Sequence, residues 1–145
     1  MIVRFATLKD LDAINALYKD YQGEELSKFD VEINKEIIAS TIKTAIENKS
    51  GIIGIFNNEV IAGMAGYFQP CGFSKDIMFQ SMLFFVHPQH RAHTMQFIKE
   101  VQLLLKETQA TMFLIGCPVD DQEKMDRFFK IMGFKPLEIH YFWRV

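Results

Sequence analysis

Three histidines stand three apart in the segment His87-Pro-Gln-His90-Arg91-Ala-His93. Imidazole binds metals and titrates near neutrality, so this spacing admits a metal site or an anion site. Pro88 bars a regular helix through His87, and no nearby carboxylate or cysteine completes a ligand set, so no metal is expected. The plainer reading is loop histidines beside an anion. Arg91 lies among them, and a guanidinium can fork onto a phosphate. From Thr94 a long amphipathic pattern begins, with Met95, Ile98, Val101 and Leu105 on one face. A helix start offers unpaired amides and a partial positive charge. Arg91, Ala92, His93, Thr94, Met95 and Gln96 therefore form a candidate anion-binding corner, just after an apolar segment that ends Phe84-Phe85-Val86.

That corner needs a strand before it and a helix after it, and the sequence supplies both. Ile77–Val86 is the most apolar segment and reads as a central strand ended by Pro88. The helix should run from about Thr94 to Thr108. Upstream, Ile2–Ala6 reads as a strand, and Thr7 with Asp10 as a capping box in which Thr7 accepts from an unpaired amide. A helix follows with Leu11, Ile14, Leu17, Tyr18 and Tyr21 at helical spacing. Asp30 is a good N-cap for a second helix carrying Ile33, Ile37, Ile38, Ile42, Ala45 and Ile46. Gly51–Phe56 and Val60–Phe68 read as a hairpin turned at Asn57-Asn58, which tolerate positive φ. Thr111–Cys117 reads as a strand, and Asp120-x-x-Glu123 caps a last helix that Gly133 stops. Leu137–Val145 reads as a final strand. The predicted order is β-α-α-β-β-β-α-β-α-β. A helical crossover between two apolar strands implies a parallel pair, and the hairpin implies antiparallel ones. The class is α/β with a mixed sheet and helices on both faces.

The 145 residues suit one domain, taken as residues 1–145. With 16 basic and 18 acidic side chains, the charge does not suit a dedicated nucleic-acid binder. No apolar run is long enough to span a bilayer. Cys71 and Cys117 are far apart with no CxxC, and the N-terminus shows no signal peptide, so a reduced, cytoplasmic setting is expected.

Three stretches carry a family likeness: GIIGIFNNEVIAGMAGYFQP, FFVHPQHRAHTMQFIKEVQLLLKE and DDQEKMDRFFKIMGFKP. In this order of elements and this length, the chain resembles the GNAT superfamily of N-acetyltransferases. The resemblance implies an acyl-CoA N-acyltransferase fold with acetyl-CoA as co-substrate and an amine as acceptor. It implies that Phe84, Phe85 and Val86, with Arg91 through Gln96, hold the cofactor, and that backbone amides near Phe85 and Val86 face the thioester oxygen. It also implies strands that part beside the pantetheine arm. It puts Cys117 at the mouth of the active cleft, as a nucleophile or acid, or as a small buried hydrophobe.

This sequence departs from the family at two points. The family's loop glycines are replaced by Thr94 and Gln96. The usual proton-donating Tyr is Phe129, and the central strand offers Gln80 and Ser81 where an acidic residue is frequent. Tyr67, Tyr141 and His140 are alternative proton carriers, with packing as the plain alternative. Glu24-Glu25 reads as a solvated loop. Two functions stay open: an N-acetyltransferase acting on a primary amine, and a catalytically impaired GNAT-fold binding protein. A homodimer is compatible with either.

Overall fold

The computed structural model describes residues 1–20, 34–116 and 122–137. Strand β1 (Ile2–Phe5) leads into a 3-10 turn (Leu8–Asp10) and helix α1 (Leu11–Asp20). Asp10 fixes this entry by accepting from the Thr7 amide and hydroxyl at 2.8 and 2.9 Å. This is the predicted capping box, with the Thr7 side chain facing the Asp10 amide and the Asp10 side chain taking the Thr7 amide, and the Thr7 hydroxyl in addition donates to Asp10. Arg4 forks onto the same carboxylate with two 2.8 Å bonds and holds it well below the usual carboxylate range. Helix α1 buries Ile14, Leu17 and Tyr18, one stripe at helical spacing.

Helix α2 (Lys35–Glu47) is capped by Asn34, whose side chain accepts from the amides of Glu36 and Ile37. The cap predicted at Asp30 lies outside the described residues. Ile42, Ala45 and Ile46 face inward. Ser50, buried just after the helix, donates to the Gly66 carbonyl at 2.6 Å and so pins the helix end to the sheet.

Strands β2 (Gly51–Phe56) and β3 (Glu59–Pro70) form the predicted hairpin, with Asn57 and Asn58 at φ 50° and 66°. Strand β4 (Ile77–Val86) returns antiparallel to β3. The next segment, Pro88–His93, is a 3-10 helix, and helix α3 spans Thr94–Leu105. Helix α3 is shorter than the pattern predicts. The amides of Lys106, Glu107 and Thr108 turn back onto the carbonyls of Leu103, Leu104 and Leu105, which tightens the last turn. Strand β5 (Met112–Leu114) lies parallel to β4, and helix α4 (Gln122–Ile131) follows. The sheet order is β1-β2-β3-β4-β5. The described elements thus follow the predicted order, and residues 138–145 of the predicted last strand lie outside them.

Two apolar layers sandwich the sheet. On one face α1 and α2 pack Ile14, Leu17, Tyr18, Ile42 and Ile46 over Ile53 and Phe85. On the other, α3 packs Phe97, Val101 and Leu105 over Ile52, Met64 and Phe79. Gly54 makes room for this second layer, since a Cβ there would lie 2.7 Å from the Phe97 ring. A file of aromatic rings continues the same layer through Phe79, Phe113, Phe134 and Phe129, bringing in the end of α4. Gln102 on α3 donates to the Met132 carbonyl and fastens that end. Among the described residues, no helix is long and apolar enough to cross a membrane.

Candidate functional site

Strand β4 pairs with β3 along its whole length but keeps a second partner only at its start. Its first part pairs with β5, but that ladder covers only Met78, Phe79 and Gln80, opposite Met112, Phe113 and Leu114. A longer strand, Thr111–Cys117, is predicted from the apolar run. Among the described residues the strand stops at Leu114, because β4 offers no register beyond Gln80 and a strand needs a partner to persist. Immediately past this point β4 carries an extra residue. Gly66 faces Ser81 and Ala65 faces Leu83, so Met82 is a bulge, half exposed. Gly66 permits the bulge, because a Cβ there would lie 2.5 Å from the Gln80 carbonyl oxygen. Where β4 and β5 cease to pair, the chain thus holds a re-aimed backbone, followed by Leu83, Phe84, Phe85 and Val86.

Phe85 and Val86 are buried and Phe84 is half-buried. The three belong to opposite layers by alternation: Phe85 lies against the Tyr18 ring, while Phe84 stacks parallel on Phe97 at 6.0 Å. Phe97 lies in the first turn of α3, so this stack seats the helix start beside the end of β4.

The turn between them is built without glycine. Among the described residues, the positive-φ positions other than glycine are Lys49, Asn57 and Asn58, none of them in this turn. Thr94 has ordinary helical dihedrals, φ −56° and ψ −47°. Its hydroxyl donates to the Arg91 carbonyl at 2.7 Å, and its amide donates to the same oxygen. One amide of the helix start is thereby already engaged, which corrects the picture of a fully bare cluster. Arg91, Ala92, Met95 and Gln96 are exposed, and His93 and Thr94 are half-buried. Arg91 and the exposed first-turn positions thus share one solvent-facing corner, as the pattern predicts.

The histidine spacing has another explanation. A 3-10 helix repeats every three residues, so His87, His90 and His93 line up on one side of the turn. Their rings follow one another at 5.6 and 6.1 Å, and His90 and His93 pack on Phe56 at 6.1 and 4.5 Å. They dock the turn on the end of β2. Among the described residues no group of three or more His, Cys, Asp or Glu side chains is arranged to hold a metal.

Of the candidate proton carriers, Cys117, His140 and Tyr141 lie outside the described residues, as do Glu24 and Glu25. Tyr67 is placed: it faces Gln80 across β3 and β4, and its hydroxyl donates to Gln80 Oε1 at 2.9 Å. Gln69 donates to the same oxygen at 2.8 Å. Gln80 is thus the hub of a small polar cluster beside the bulge. Gln69 was not expected in it, although Tyr67 and Gln69 sit two apart on one strand face and could have been paired with Gln80 by counting across the hairpin. Phe129, at the usual Tyr position, meets Phe128 and Phe134 edge-on at 5.4 and 5.3 Å and brings no proton.

No family model matches the chain, and no curated protein matches it by sequence. Solved structures match it over its full length. A probable acetyltransferase superposes with a TM-score of 0.75 at 15% identity, over 100% of this chain and 98% of that one. The ribosomal-protein-alanine N-acetyltransferase of Brucella melitensis biovar Abortus 2308 gives 0.71 at 12% identity, over 100% of both chains. Aminoglycoside N-acetyltransferase AAC(6')-Iy, in complex with CoA, gives 0.70 at 14% identity, over 99% of this chain and 93% of that one. With a mixed sheet of five strands among the described residues, the bulge in β4 and the helix that follows it, the chain has the fold of the GNAT acetyltransferases.

Proposed function

We propose that this protein is an acetyl-CoA-dependent N-acetyltransferase acting on a primary amine. The observation that carries this is the juxtaposition at the end of β4: a ladder that stops at Gln80, a bulge at Met82, and a helix start beside the exposed Arg91. These features fit acetyl-CoA. A diphosphate suits a helix start with an adjacent guanidinium, and an amide-bearing arm suits a strand that has lost its neighbour. Arg91, Ala92, His93, Thr94, Met95 and Gln96 would hold the phosphates. The β4 segment from Met82 to Val86 would hold the arm and face the thioester oxygen.

Acetyl-CoA supplies an activated acetyl group: the amine lone pair attacks the thioester carbon, a C–N bond forms, the C–S bond breaks and CoA leaves as the thiol. The chain's contribution is to orient and to exclude water, since Phe84, Phe85 and Val86 pack apolar layers on both faces of this stretch of β4 and leave its backbone to face the arm. Among the described residues the Tyr67 proton is committed to Gln80 and Phe129 has none; transfer balances without either when water takes the amine proton and gives one to the leaving thiolate. A thiol of pKa about 8.5 makes that route accessible near neutrality.

Calorimetry with acetyl-CoA, together with a thiol-release assay over a panel of amines, tests this. Binding is expected, and Arg91→Glu should weaken it by about 10- to 100-fold in a protein that still folds, as loss of a charged hydrogen bond does. Absence of binding at millimolar CoA overturns the proposal. Tight binding with no turnover on any amine supports the second reading, a GNAT-fold binding protein, which the aromatic setting of Phe129 favours.

A further inference from the structure

The Gln80 cluster has a directionality that bears on the acceptor. The Gln80 carboxamide oxygen accepts from both Tyr67 Oη and Gln69 Nε2. An amide oxygen has two lone pairs, so it is saturated. The oxygen faces β3, and trigonal geometry turns Nε2 away from β3. Gln80 is also the last β4 residue registered with β5, so its side chain rises from the sheet beside the place where the two strands cease to pair. Strand alternation sets the cluster on the sheet face of α1 and α2, since Gly63, four residues before Tyr67, lies against Leu17 and Tyr18. It is the face opposite Phe79 and α3.

All three side chains are half-buried. A polar trio there loses hydration and recovers only part of it internally, because Gln80 Nε2, the Tyr67 lone pairs and Gln69 Oε1 take no part in the two bonds. Those remaining groups are a donor pair flanked by acceptors. Their complement is a molecule with an oxygen next to its amine: the oxygen accepts from Gln80 Nε2, and an amine hydrogen is donated to Tyr67 Oη.

We infer that Gln80, held by Tyr67 and Gln69, selects acceptors that carry an oxygen vicinal to the reacting amine, an α-amino carbonyl or a 1,2-amino alcohol, over isolated alkylamines. This rests on the acetyltransferase proposal above and adds the acceptor's chemistry to it. Gln80 acts here as a specificity residue, and it is not asked to move a proton.

Gln80→Glu is the informative change. It is nearly isosteric, and its carboxylate still accepts from Tyr67 and Gln69, but it has no hydrogen to give an acceptor oxygen. With saturating acetyl-CoA, kcat/KM is measured for glycinamide, glucosamine and n-propylamine, each referred to its neutral-amine fraction. The ratio of either oxygen-bearing acceptor to propylamine should fall about 10-fold in Gln80→Glu, the usual worth of one hydrogen bond at a half-buried site. Gln80→Met should lower it similarly. The readout is the ratio and not any absolute rate, because a carboxylate at this strand position changes turnover of all three amines together; the CoA dissociation constant should stay as in the wild type. The two oxygen-bearing acceptors separate a peptide-like source from a sugar. An unchanged ratio, or an equal loss for all three amines, overturns the assignment. Failure of the wild type to bind CoA would instead sink the acetyltransferase proposal, and the two failures are read from different measurements.

Discussion

At its start β4 is lashed to β5, and at its finish it runs on without that partner beside a charged turn. The lower end is a polar clamp. Asp76 accepts from the hydroxyls of Ser74 and Thr111 at 2.5 and 2.8 Å, and Thr111 in turn bonds the Ile77 amide and carbonyl at 3.1 and 2.9 Å. The upper end has Met82 bulged out, and its turn is anchored by stacking on Phe56 and Phe97. The difference explains how a sheet can stay open at a chosen place. Two neighbouring strands with nothing to separate them will zip together, so one end has to be fixed in register and the other denied a register. The clamp does the first, and the bulge does the second.

The change expected to have the largest effect removes the pivot between the two ends. Phe79 is fully buried and touches Phe68 on β3 and Phe113 on β5. Phe79→Ala should cost about 3–5 kcal/mol, seen as a fall in the denaturant midpoint. If β4 is the pivot, the loss should be accompanied by loss of CoA binding at temperatures where the variant is still folded. A variant that is less stable yet binds CoA normally would show that the two ends are held independently.

A smaller effect is expected at the bulge. In Gly66→Ala the new Cβ would sit 2.5 Å from the Gln80 backbone oxygen and 2.7 Å from the Phe79 ring. Backbone cannot swing aside as a flexible side chain can, so β3 and β4 must shift apart. The expected cost is about 1–3 kcal/mol, the usual range for overpacking. Because the strain falls between Gln80 and Met82, CoA affinity should suffer more than the stability loss alone would cause. Thermal unfolding and calorimetry on one sample compare the two directly.

The comparison also shows which parts of the chain could be understood from sequence. Order and class came through because they depend on periodicity, which survives without knowledge of neighbours. Asn57-Asn58 announced its hairpin because few residues accept φ of 50° and 66° in succession. Residues Thr94 to Gln96 could be placed at a helix start for the same local reason. The histidine run misleads, since a spacing of three suits a ligand set or a 3-10 face, and only the packing on Phe56 decides between them. The true length of β5 could not be read from an apolar run, because a strand ends where its partner's register ends. Arg4 was not foreseen as the partner of Asp10, because that pair joins a strand to a separate turn and the linear pattern carries no trace of it. Gln69 beside Gln80 differs, since counting across the hairpin reaches it.

The smallest effect, and the most specific to the lower end, is on pH. The hydroxyls of Ser74 and Thr111 favour the ionised form of Asp76 and hold its carboxyl below the ordinary value. In the unfolded chain it titrates near about 3.9. A folded pKa below the unfolded one means the unfolded state takes up its proton first as pH falls. The clamp's stabilisation is therefore complete above the unfolded value and is lost as pH drops through the folded one. Asp76 is exposed enough that solvent screens much of the gain, so the change should be modest. Wild type should melt above Asp76→Asn at neutral pH, and the two melting temperatures should converge below about pH 3. CoA affinity at neutral pH should be little changed, because the clamp lies at the end of β4 away from Arg91. A melting difference that persists undiminished at low pH would mean that the carboxylate charge is not what ties β4 to β5.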